Sequence, residues 1–260
     1  MSDQNNGVKP ALNSSDSSDA LETSQAVPAE ACAHPEFCVG APEPLSTRTG
    51  MWGVRNGADT TGFSQGTHTV AIAPGVARPY GGWFDEVVDI IVELLQHDGL
   101  DPQAVIEKVS TDREQLVIFV KREYLPKVAR YLRDDQDLRF EMCLGVSAVN
   151  YPEDKGRELH GYFPFFSITH NRMIALEVAV PDEDPHMPSI TSIYPGDDWP
   201  EREAFDLMGI IFDGHPNLAR SVMPEDWVGH PQRKDYPLGG IPVEYKGAVI
   251  PPADTRREYN

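Results

Sequence analysis

Three carboxylates and two imidazoles lie close together in the sequence and could do chemistry. They are Glu201, Glu203, Asp206, His215 and His230. Paired carboxylates can act as acid and base, and carboxylates with imidazoles can ligate a metal ion. A helical metal site usually presents ligands three or four residues apart, whereas His215 follows Asp206 by nine residues, across a glycine and a predicted strand. The spacing therefore argues against a metal or hydrolytic site.

A charge-paired structural and interface motif is the interpretation that we prefer for these residues. Arg202 and Asp206 are four residues apart on one predicted helix face, where opposite charges can pair. Arg220, or a cation of a partner, is a further candidate base for Glu203 or Asp206. The alternative from another class is a metal-dependent hydrolase that uses Glu203, Asp206 and His215.

A short helix must position these carboxylates. Pro200 suits the first helical turn, where its missing N–H is no loss, and Asp197 or Asp198 can cap the free backbone donors just before it. The positive end of the helix dipole favours Glu201 in the first turn, and Gly209 is a typical helix end. The sequence therefore predicts a short charged helix that begins near Pro200 and ends at Gly209.

Prolines prevent regular structure after this helix and a brief strand at 210–212. Pro216, Pro224, Pro231 and Pro237 recur every six to eight residues and exclude a long helix or a central strand. An extended ribbon remains. Because such a ribbon makes few internal hydrogen bonds, we expect it to be mobile in the isolated chain and ordered on a partner.

Two Gly-His-Pro units and one basic cluster stand out in the ribbon. A histidine before proline is extended and a preceding glycine allows a sharp entry, so each unit, 214–216 and 229–231, presents an imidazole from a fixed bend. We expect each imidazole to hydrogen-bond an unpaired loop carbonyl; a redox-linked proton relay is the alternative. Arg233 and Trp227 are expected to contribute most of the contact energy with a partner, although the basic cluster could also be a solvated turn.

This stretch as a whole resembles the signature of the thirty-kilodalton subunit, or C subunit, of respiratory complex I. The resemblance is specific in residue type, order and spacing over about forty residues, and in organisation it extends from roughly residue 83 to 238. Ala219 before Arg220 departs from the family, which usually carries basic residues there. The positions expected to form the interface and structural motif are Glu201, Arg202, Glu203, Asp206, Gly209, His215, Pro216, Leu218, Arg220, Pro224, Trp227, His230, Pro231, Arg233, Lys234, Asp235, Tyr236 and Pro237.

The resemblance implies a non-catalytic structural subunit in the hydrophilic arm of a proton-translocating NADH:quinone oxidoreductase. It implies that FMN, Fe-S clusters and quinone lie on partner subunits, with no cofactor on this chain. The implied partners are complex I subunits, chiefly the D subunit at the quinone site, with the B and I subunits nearby, at the cytoplasmic face of the cell membrane. The equivalent subunit of a membrane-bound hydrogenase or of a deazaflavin-dependent quinone reductase is the alternative within the class.

Composition excludes several other classes. A net charge of -19 over 260 residues disfavours nucleic acid or an anionic membrane as the main partner, because both would repel this surface. The longest aliphatic and aromatic run, Leu116 to Val120, is far shorter than the ~20 residues of a spanning helix, and residues 1–6 lack the features of a signal peptide. We therefore expect a cytoplasmic address and membrane association only through partners.

The cysteines do not predict a cofactor or a disulfide framework. Cys32, Cys38 and Cys143 are too few and too irregularly spaced for either a disulfide scaffold or a four-thiolate iron–sulfur site. Cys32, His34 and Cys38 could form part of a zinc site, but plain tail residues are the preferred interpretation. Cys143 follows an apolar stretch and is expected in the core. Neither a dinucleotide nor a phosphate-loop motif occurs.

The composition changes along the chain and predicts four regions. Residues 1–48 are polar and acidic and read as a disordered acidic tail, and the Gly-rich arm, 49–82, is either a docking arm or a flexible linker. Residues 83–212 form an α+β domain, and residues 213–260 form an extended partner-binding segment. Aromatic and aliphatic residues that could anchor the arm are Met51, Trp52, Val54 and Phe63.

Periodicity within 83–212 predicts the order of the elements. The sequence predicts one helix from Trp83, a hairpin that turns at 111–112, a second helix from Pro126, and three strands. The predicted strands are Ala104–Val109, Gln115–Lys121, Arg139–Asn150, Leu159–Thr169 and Met173–Val180. The predicted fold class is α+β, with helices packed on a mixed β-sheet, followed by an extended proline-rich C-terminal ribbon.

Overall fold

The computed structural model describes residues 44–49 and 67–236. A mixed six-stranded sheet forms the centre of this part of the chain. Its strands are β3 (Ile106–Asp112), β4 (Gln115–Val120), β5 (Met142–Cys143), β6 (Ser147–Asn150), β7 (Leu159–Ser167) and β8 (Arg172–Val180). The order across the sheet is β3-β4-β8-β7-β5, and β6 also pairs with β7.

The strand directions make the sheet mixed. Strands β4 and β8 are parallel, whereas β3 pairs with β4, and β7 with β8, in antiparallel fashion. Along β7 every second side chain is buried, and Phe163 and Phe165 face Leu176 and Ile174 of β8 across the ladder. This alternation places one apolar face of the sheet against the core.

Two helices share that core, α1 (Trp83–His97) and α3 (Leu125–Asp134), and a single turn, α2 (Pro102–Val105), precedes β3. Helix α1 buries Val88, Ile91 and Leu95, which recur at helical spacing. Pro126 lies in the first turn of α3, where proline is tolerated. Helices on a mixed sheet confirm the predicted α+β class; the ribbon beyond residue 236 lies outside the described residues.

Three of the sequence predictions within the domain need correction. The β3–β4 turn lies at Arg113 and Glu114, which both have positive φ, rather than at 111–112; neither is a glycine, so the turn has no clear sequence signal. Residues Ala104 and Val105 lie in α2 instead of the strand. The predicted strand 139–150 is two short strands, because Gly145, at φ 113, interrupts it between β5 and β6.

The N-terminal boundary also differs from the prediction. Residues Pro44–Thr49 form β1, which pairs antiparallel with β2 (Thr67–Ala71), so the predicted tail end at residue 48 lies inside a strand. Each strand supplies the other's backbone hydrogen bonds, although neither has a clear apolar alternation of its own. The zinc candidates Cys32, His34 and Cys38, and the anchors at 51–63, lie outside the described residues.

The signature region begins within this domain, because Ala204, Ile210 and Phe212 belong to the same core. Strand β9 (His186–Pro188) pairs in parallel with β10 (Ile211–Asp213), and helix α4 (Asp198–Met208) lies between them in the chain and contacts β6. Within residues 44–49 and 67–236, every helix is too short or too polar to cross a membrane.

Candidate functional site

Helix α4 begins and ends almost where the sequence predicts, but its N-terminus lacks the predicted side-chain cap. Gly209 adopts the left-handed conformation, φ 83, and its N–H donates to the Phe205 carbonyl, which ends the helix as expected. The Asp197 side chain makes no capping hydrogen bond. The predicted cap is therefore wrong, and the carboxylate is instead fully buried beside Gly145 in the turn after β5.

Asp206 joins α4 to the following segment. Its fully buried carboxylate accepts hydrogen bonds from the backbone N–H groups of Ser221, Val222 and Met223, at 3.1, 2.8 and 2.8 Å to Oδ2. Arg220 donates to Oδ1 at 2.5 Å. Of the bases considered as partners for Glu203 or Asp206, Arg220 is the one that pairs with Asp206.

These donors determine the charge of Asp206. Burial alone would raise the pKa of this carboxyl, but the N–H groups of Met223 and Val222, the Arg220 guanidinium and the Ser221 N–H together outweigh it. The net result is a pKa below the ordinary value of 3.8. Asp206 is therefore a buried carboxylate that stays ionised at neutral pH.

Two of the three arginines of the motif, Arg202 and Arg220, bind backbone carbonyls. Arg220 also reaches the Gly229 carbonyl at 3.2 Å, so it spans from α4 to the second Gly-His-Pro unit. Arg202 donates to the carbonyls of Ala219 and Arg220 at 3.1 and 3.3 Å, and it stacks on Trp199 rather than pairing with Asp206. Both guanidinium groups therefore bind the segment after β10 to helix α4.

The two histidines bind the two ends of α4. The Nδ1 atom of His215 accepts the Asn217 N–H, so in the neutral ring Nε2 carries the proton and donates to the Asp198 carbonyl at 3.1 Å. His230 Nδ1 donates to the Asp206 carbonyl at 3.0 Å. Both imidazoles bind main-chain carbonyls as expected, but these carbonyls belong to helix α4 rather than to a loop.

At the start of α4, two further acidic side chains are buried without a base. Asp197 and Glu201 are both fully buried. Glu201 Oε1 accepts the Ile190 N–H at 2.8 Å, while Glu201 Oε2 and both Asp197 oxygens lack a hydrogen-bond partner among the described residues. Charged side chains in the first turn of a helix are usually exposed or ion-paired. Asp197 and Glu201 are neither.

Burial raises the pKa of Asp197 to about 7, against a weaker lowering by the Cys143 thiol. Burial also raises the pKa of Glu201 to about 7; the nearby Ser189 hydroxyl and the Ile190 N–H oppose this shift, and the nearby aspartates add to it. The half-buried Cys143 thiol has a raised pKa as well, because desolvation and the negative charge of Asp197 disfavour its thiolate. Its place against the core agrees with the sequence prediction.

The segment 214–236 lies on the domain. Besides the contacts of Asp206, Gln232 N–H donates to the Leu207 carbonyl at 3.1 Å and Lys234 N–H to Asn150 Oδ1 at 2.9 Å. Arg233 pairs with Asp182 and is mostly buried. The expectation that this ribbon makes few internal hydrogen bonds is therefore wrong over 214–236, since side chains of α4, β6 and the β8–β9 loop supply its partners.

The remaining motif positions are spread over this segment. Trp227 is half-buried, its indole Nε1 lacks a hydrogen-bond partner in the described part of the chain, and its backbone N–H donates to the Pro224 carbonyl. Tyr236 lies against Gly229, and Leu218 packs on the core. Pro231 is half-buried, Pro237 is outside the described residues, and the exposed positions are Glu203, Pro216, Pro224, Lys234 and Asp235.

The structure does not assemble the hydrolase candidate. Asp206 is bonded to Arg220 and three amides, His215 to Asp198, and Glu203 is exposed. In the described ranges, no three His, Cys, Asp or Glu side chains are grouped so that they could hold a metal ion.

Several residues of this site escaped the sequence analysis. Asn150 and Asp182 bind the segment from β6 and from the β8–β9 loop, and no local pattern indicates such distant partners. The unpaired burial of Asp197 has no signal in a sequence that reads as a cap. Trp199 beside Pro200 could have been noted, because a tryptophan in an exposed helical turn is unusual.

The fold and the motif define a class of α+β protein in which side chains of the motif bind the segment after β10 to helix α4. Comparison with known proteins is specific about the family. Residues 118–242 match the family model of the respiratory-chain NADH dehydrogenase, 30 Kd subunit.

Three similar proteins are named as the C subunit of NADH-quinone oxidoreductase. The protein of Mycolicibacterium paratuberculosis is 58% identical over 221 residues, which cover 85% of this chain and 94% of that protein. That of Mycobacterium avium has the same identity and coverage. That of Mycobacterium tuberculosis is 56% identical over 218 residues, 84% of this chain and 92% of that protein. The chain therefore belongs to the 30-kilodalton subunit family of complex I, as the sequence resemblance predicts, and is part of a respiratory enzyme complex.

Proposed function

We propose that this chain is a non-catalytic structural subunit of the hydrophilic arm of an NADH:quinone oxidoreductase. It supports electron transfer from NADH through FMN and Fe-S clusters on other subunits to quinone. It packs against the D subunit at the quinone site, with the B and I subunits nearby, and is held at the cytoplasmic face of the membrane through these partners. Relatives named for this oxidoreductase favour it over the hydrogenase and deazaflavin alternatives.

One observation carries the structural role: the chemically capable side chains of the motif bind the chain's own backbone. The Asp206 carboxylate receives three amides, and the Arg202 guanidinium and the His230 imidazole each bind main-chain carbonyl oxygens. Groups engaged in this way shape a surface and fix a segment. They are poorly placed to exchange protons or electrons with a substrate.

Assembly and turnover can be separated experimentally. We expect Asp206→Asn to lower the amount of assembled complex in membranes while leaving quinone reduction per assembled complex unchanged. Glu93→Gln, which changes an exposed carboxylate on helix α1, is the matched control and should retain both. Normal assembly of Asp206→Asn with a reduced turnover per complex would contradict the structural role.

The cofactor expectation has its own test. We expect the purified chain, expressed alone and desalted, to contain no stoichiometric iron, zinc or flavin, because it has neither a four-thiolate set nor a nucleotide motif. Elemental analysis and the absorption spectrum above about 350 nm, where flavins and clusters absorb, measure this directly. A stoichiometric centre would contradict the proposal.

A further inference from the structure

Several large apolar side chains are exposed beside helix α4. Trp199 is 64% exposed, Val222 59%, Leu144 51% and Met142 43%. Side chains of this size at such exposure are a signal when they are contiguous, whereas scattered ones are ordinary. Trp199 lies on α4, and the other three lie on two segments that pack beside this helix.

The start of α4 lies between the two segments that bear the other three residues. A Cβ on Gly145 would lie 3.0 Å from Pro200, so the turn after β5, with Leu144, packs beside the first turn of α4. On the other side, Arg202 stacks on Trp199 and binds the Ala219 carbonyl, three residues before Val222. The exposed side chains of Met142, Leu144, Trp199 and Val222 thus lie on helix α4 and on the two segments that flank it, and they are together called the Trp199 patch.

The Trp199 indole is held in place before any partner arrives. The Arg202 guanidinium lies 4.4 Å from its ring centre, and two backbone carbonyls fix that guanidinium in turn. The amides on Asp206 fix the neighbouring chain at Val222. A rigid, exposed tryptophan loses little conformational entropy on binding and is a typical interface hot spot.

The charges around the patch indicate the chemistry of its partner. Glu203, one helical turn after Trp199, is exposed, as are Glu225 and Asp226 on the segment that follows Val222. Of the nearby cations, Arg220 pairs with Asp206, whereas Arg202 donates to neutral carbonyls and so offsets only one of these three carboxylates. The rim therefore presents uncompensated negative charge, which favours a basic partner and opposes a second copy of a chain with net charge -19.

We propose that the Trp199 patch is a docking surface for a neighbouring arm subunit that presents an apolar pocket flanked by lysines and arginines. This inference rests on the proposed function and makes the place of contact specific. Trp199 enters the pocket, Leu144, Met142 and Val222 close its edge against water, and the carboxylates of the rim pair with the flanking cations. The contact is distinct from that of Trp227 and Arg233, which the sequence favoured as anchors.

Binding of the full-length chain to the arm subcomplex tests the proposal, with subcomplex isolated from cells that lack this subunit. We expect Trp199→Ala to weaken binding about tenfold or more in biolayer interferometry, and Leu144→Ser to weaken it less. Ile168, 61% exposed in the β7–β8 turn, provides the matched control, and Ile168→Ala should bind within about twofold of wild type. Unchanged melting curves for all three variants verify the fold.

Salt dependence tests the charged rim. We expect binding to weaken between about 50 and 300 mM salt, and Glu203→Gln to reduce that dependence. Wild-type-like binding by Trp199→Ala would overturn the patch while leaving the proposed function intact. Failure of the wild-type chain to bind the subcomplex would overturn both. A dimer in light scattering that Trp199→Ala dissociates would show a second copy as the occupant and would also overturn the proposal.

Discussion

The two ends of helix α4 bury the same chemical group in opposite ways. At its C-terminal end the Asp206 carboxylate is surrounded by a guanidinium and three amides, and its pKa is lowered. At its N-terminal end, Asp197 and Glu201 are equally buried without a base, and their pKa values rise to about 7. Burial alone therefore does not decide the charge of a carboxyl group; the donors around it do.

This difference separates two roles within one helix. The ionised Asp206 binds the segment 220–223, so it stabilises the surface that the motif forms. Asp197 and Glu201 take up protons near neutral pH and reduce stability when they ionise. We expect substitutions of the buried carboxyl groups at the two ends to change the free energy of unfolding in opposite directions.

The largest effect is expected for Asp206→Ala. Because the change leaves Arg220 and three amides without their acceptor, we expect the free energy of unfolding at pH 7 to fall by about 3 to 5 kcal/mol in urea denaturation. The lowered folded pKa means that this contribution is present above the ordinary value of 3.8 and is lost as the pH falls through the folded pKa. A loss below about 1 kcal/mol at pH 7, comparable with that of the exposed control Glu203→Ala, would contradict the account.

Gly209→Ala is expected to have the next largest effect. A Cβ there would lie 2.7 Å from the His230 ring, and φ is +83, so we expect a loss of about 2 to 4 kcal/mol. Gly214→Ala is the matched control, because it has the same φ and no described heavy atom within 4 Å. The difference between the two melting temperatures isolates the cost of displacing His230 from the Asp206 carbonyl. Equal losses of melting temperature in the two variants would show that the His230 ring can be displaced at no cost.

Asp197→Asn is expected to stabilise the protein, in contrast to Asp206→Ala. A raised folded pKa means that the folded state holds extra protons between about pH 4 and 7, so wild-type stability falls as the pH rises through that range, by up to ~1.4 kcal/mol per pH unit for each group. The amide cannot ionise but leaves some hydrogen bonds unmade, so we expect a net gain of about 1 to 2 kcal/mol at pH 8 and none at pH 4. Thermal melts at both pH values measure it. A gain independent of pH would exclude titration of Asp197 as the cause.

Arg202→Lys is expected to have the smallest effect. Lysine keeps the charge but loses the planar contact with Trp199 and one of the two carbonyl bonds, so we expect a loss of about 1 kcal/mol. The fluorescence of Trp199 should change with it. An unchanged spectrum and stability would mean that the stacking does not fix the indole.

The sequence predicted those parts of the fold in which local pattern decides the structure. Helix α1, the β7–β8 hairpin and the end of α4 at Gly209 follow from periodicity and from glycine conformation. The parallel pairing of β4 with β8 joins segments more than fifty residues apart, and local periodicity does not encode it. The turn at Arg113 was missed because its left-handed residues are not glycines.

For the site, too, only contacts between residues close in sequence could be predicted. Arg220 was expected as a partner of Asp206 because charge and proximity in sequence agree. The burial of Asp197 depends on β5 and its following turn, which lie more than fifty residues earlier, so its sequence context indicates only a cap. Arg233 was expected at a partner but binds Asp182, a pairing determined by tertiary structure.

The central claim is that the segment after β10 folds on helix α4 within the free chain. Hydrogen exchange of the Ser221, Val222 and Met223 amides in the purified, unassembled protein tests it most directly. We predict strong protection of all three at pH 7, because each donates to the buried Asp206 carboxylate, and loss of that protection in Asp206→Ala. Exchange in the wild-type free chain at the rate of an unstructured peptide, with protection only in the assembled arm, would contradict the account.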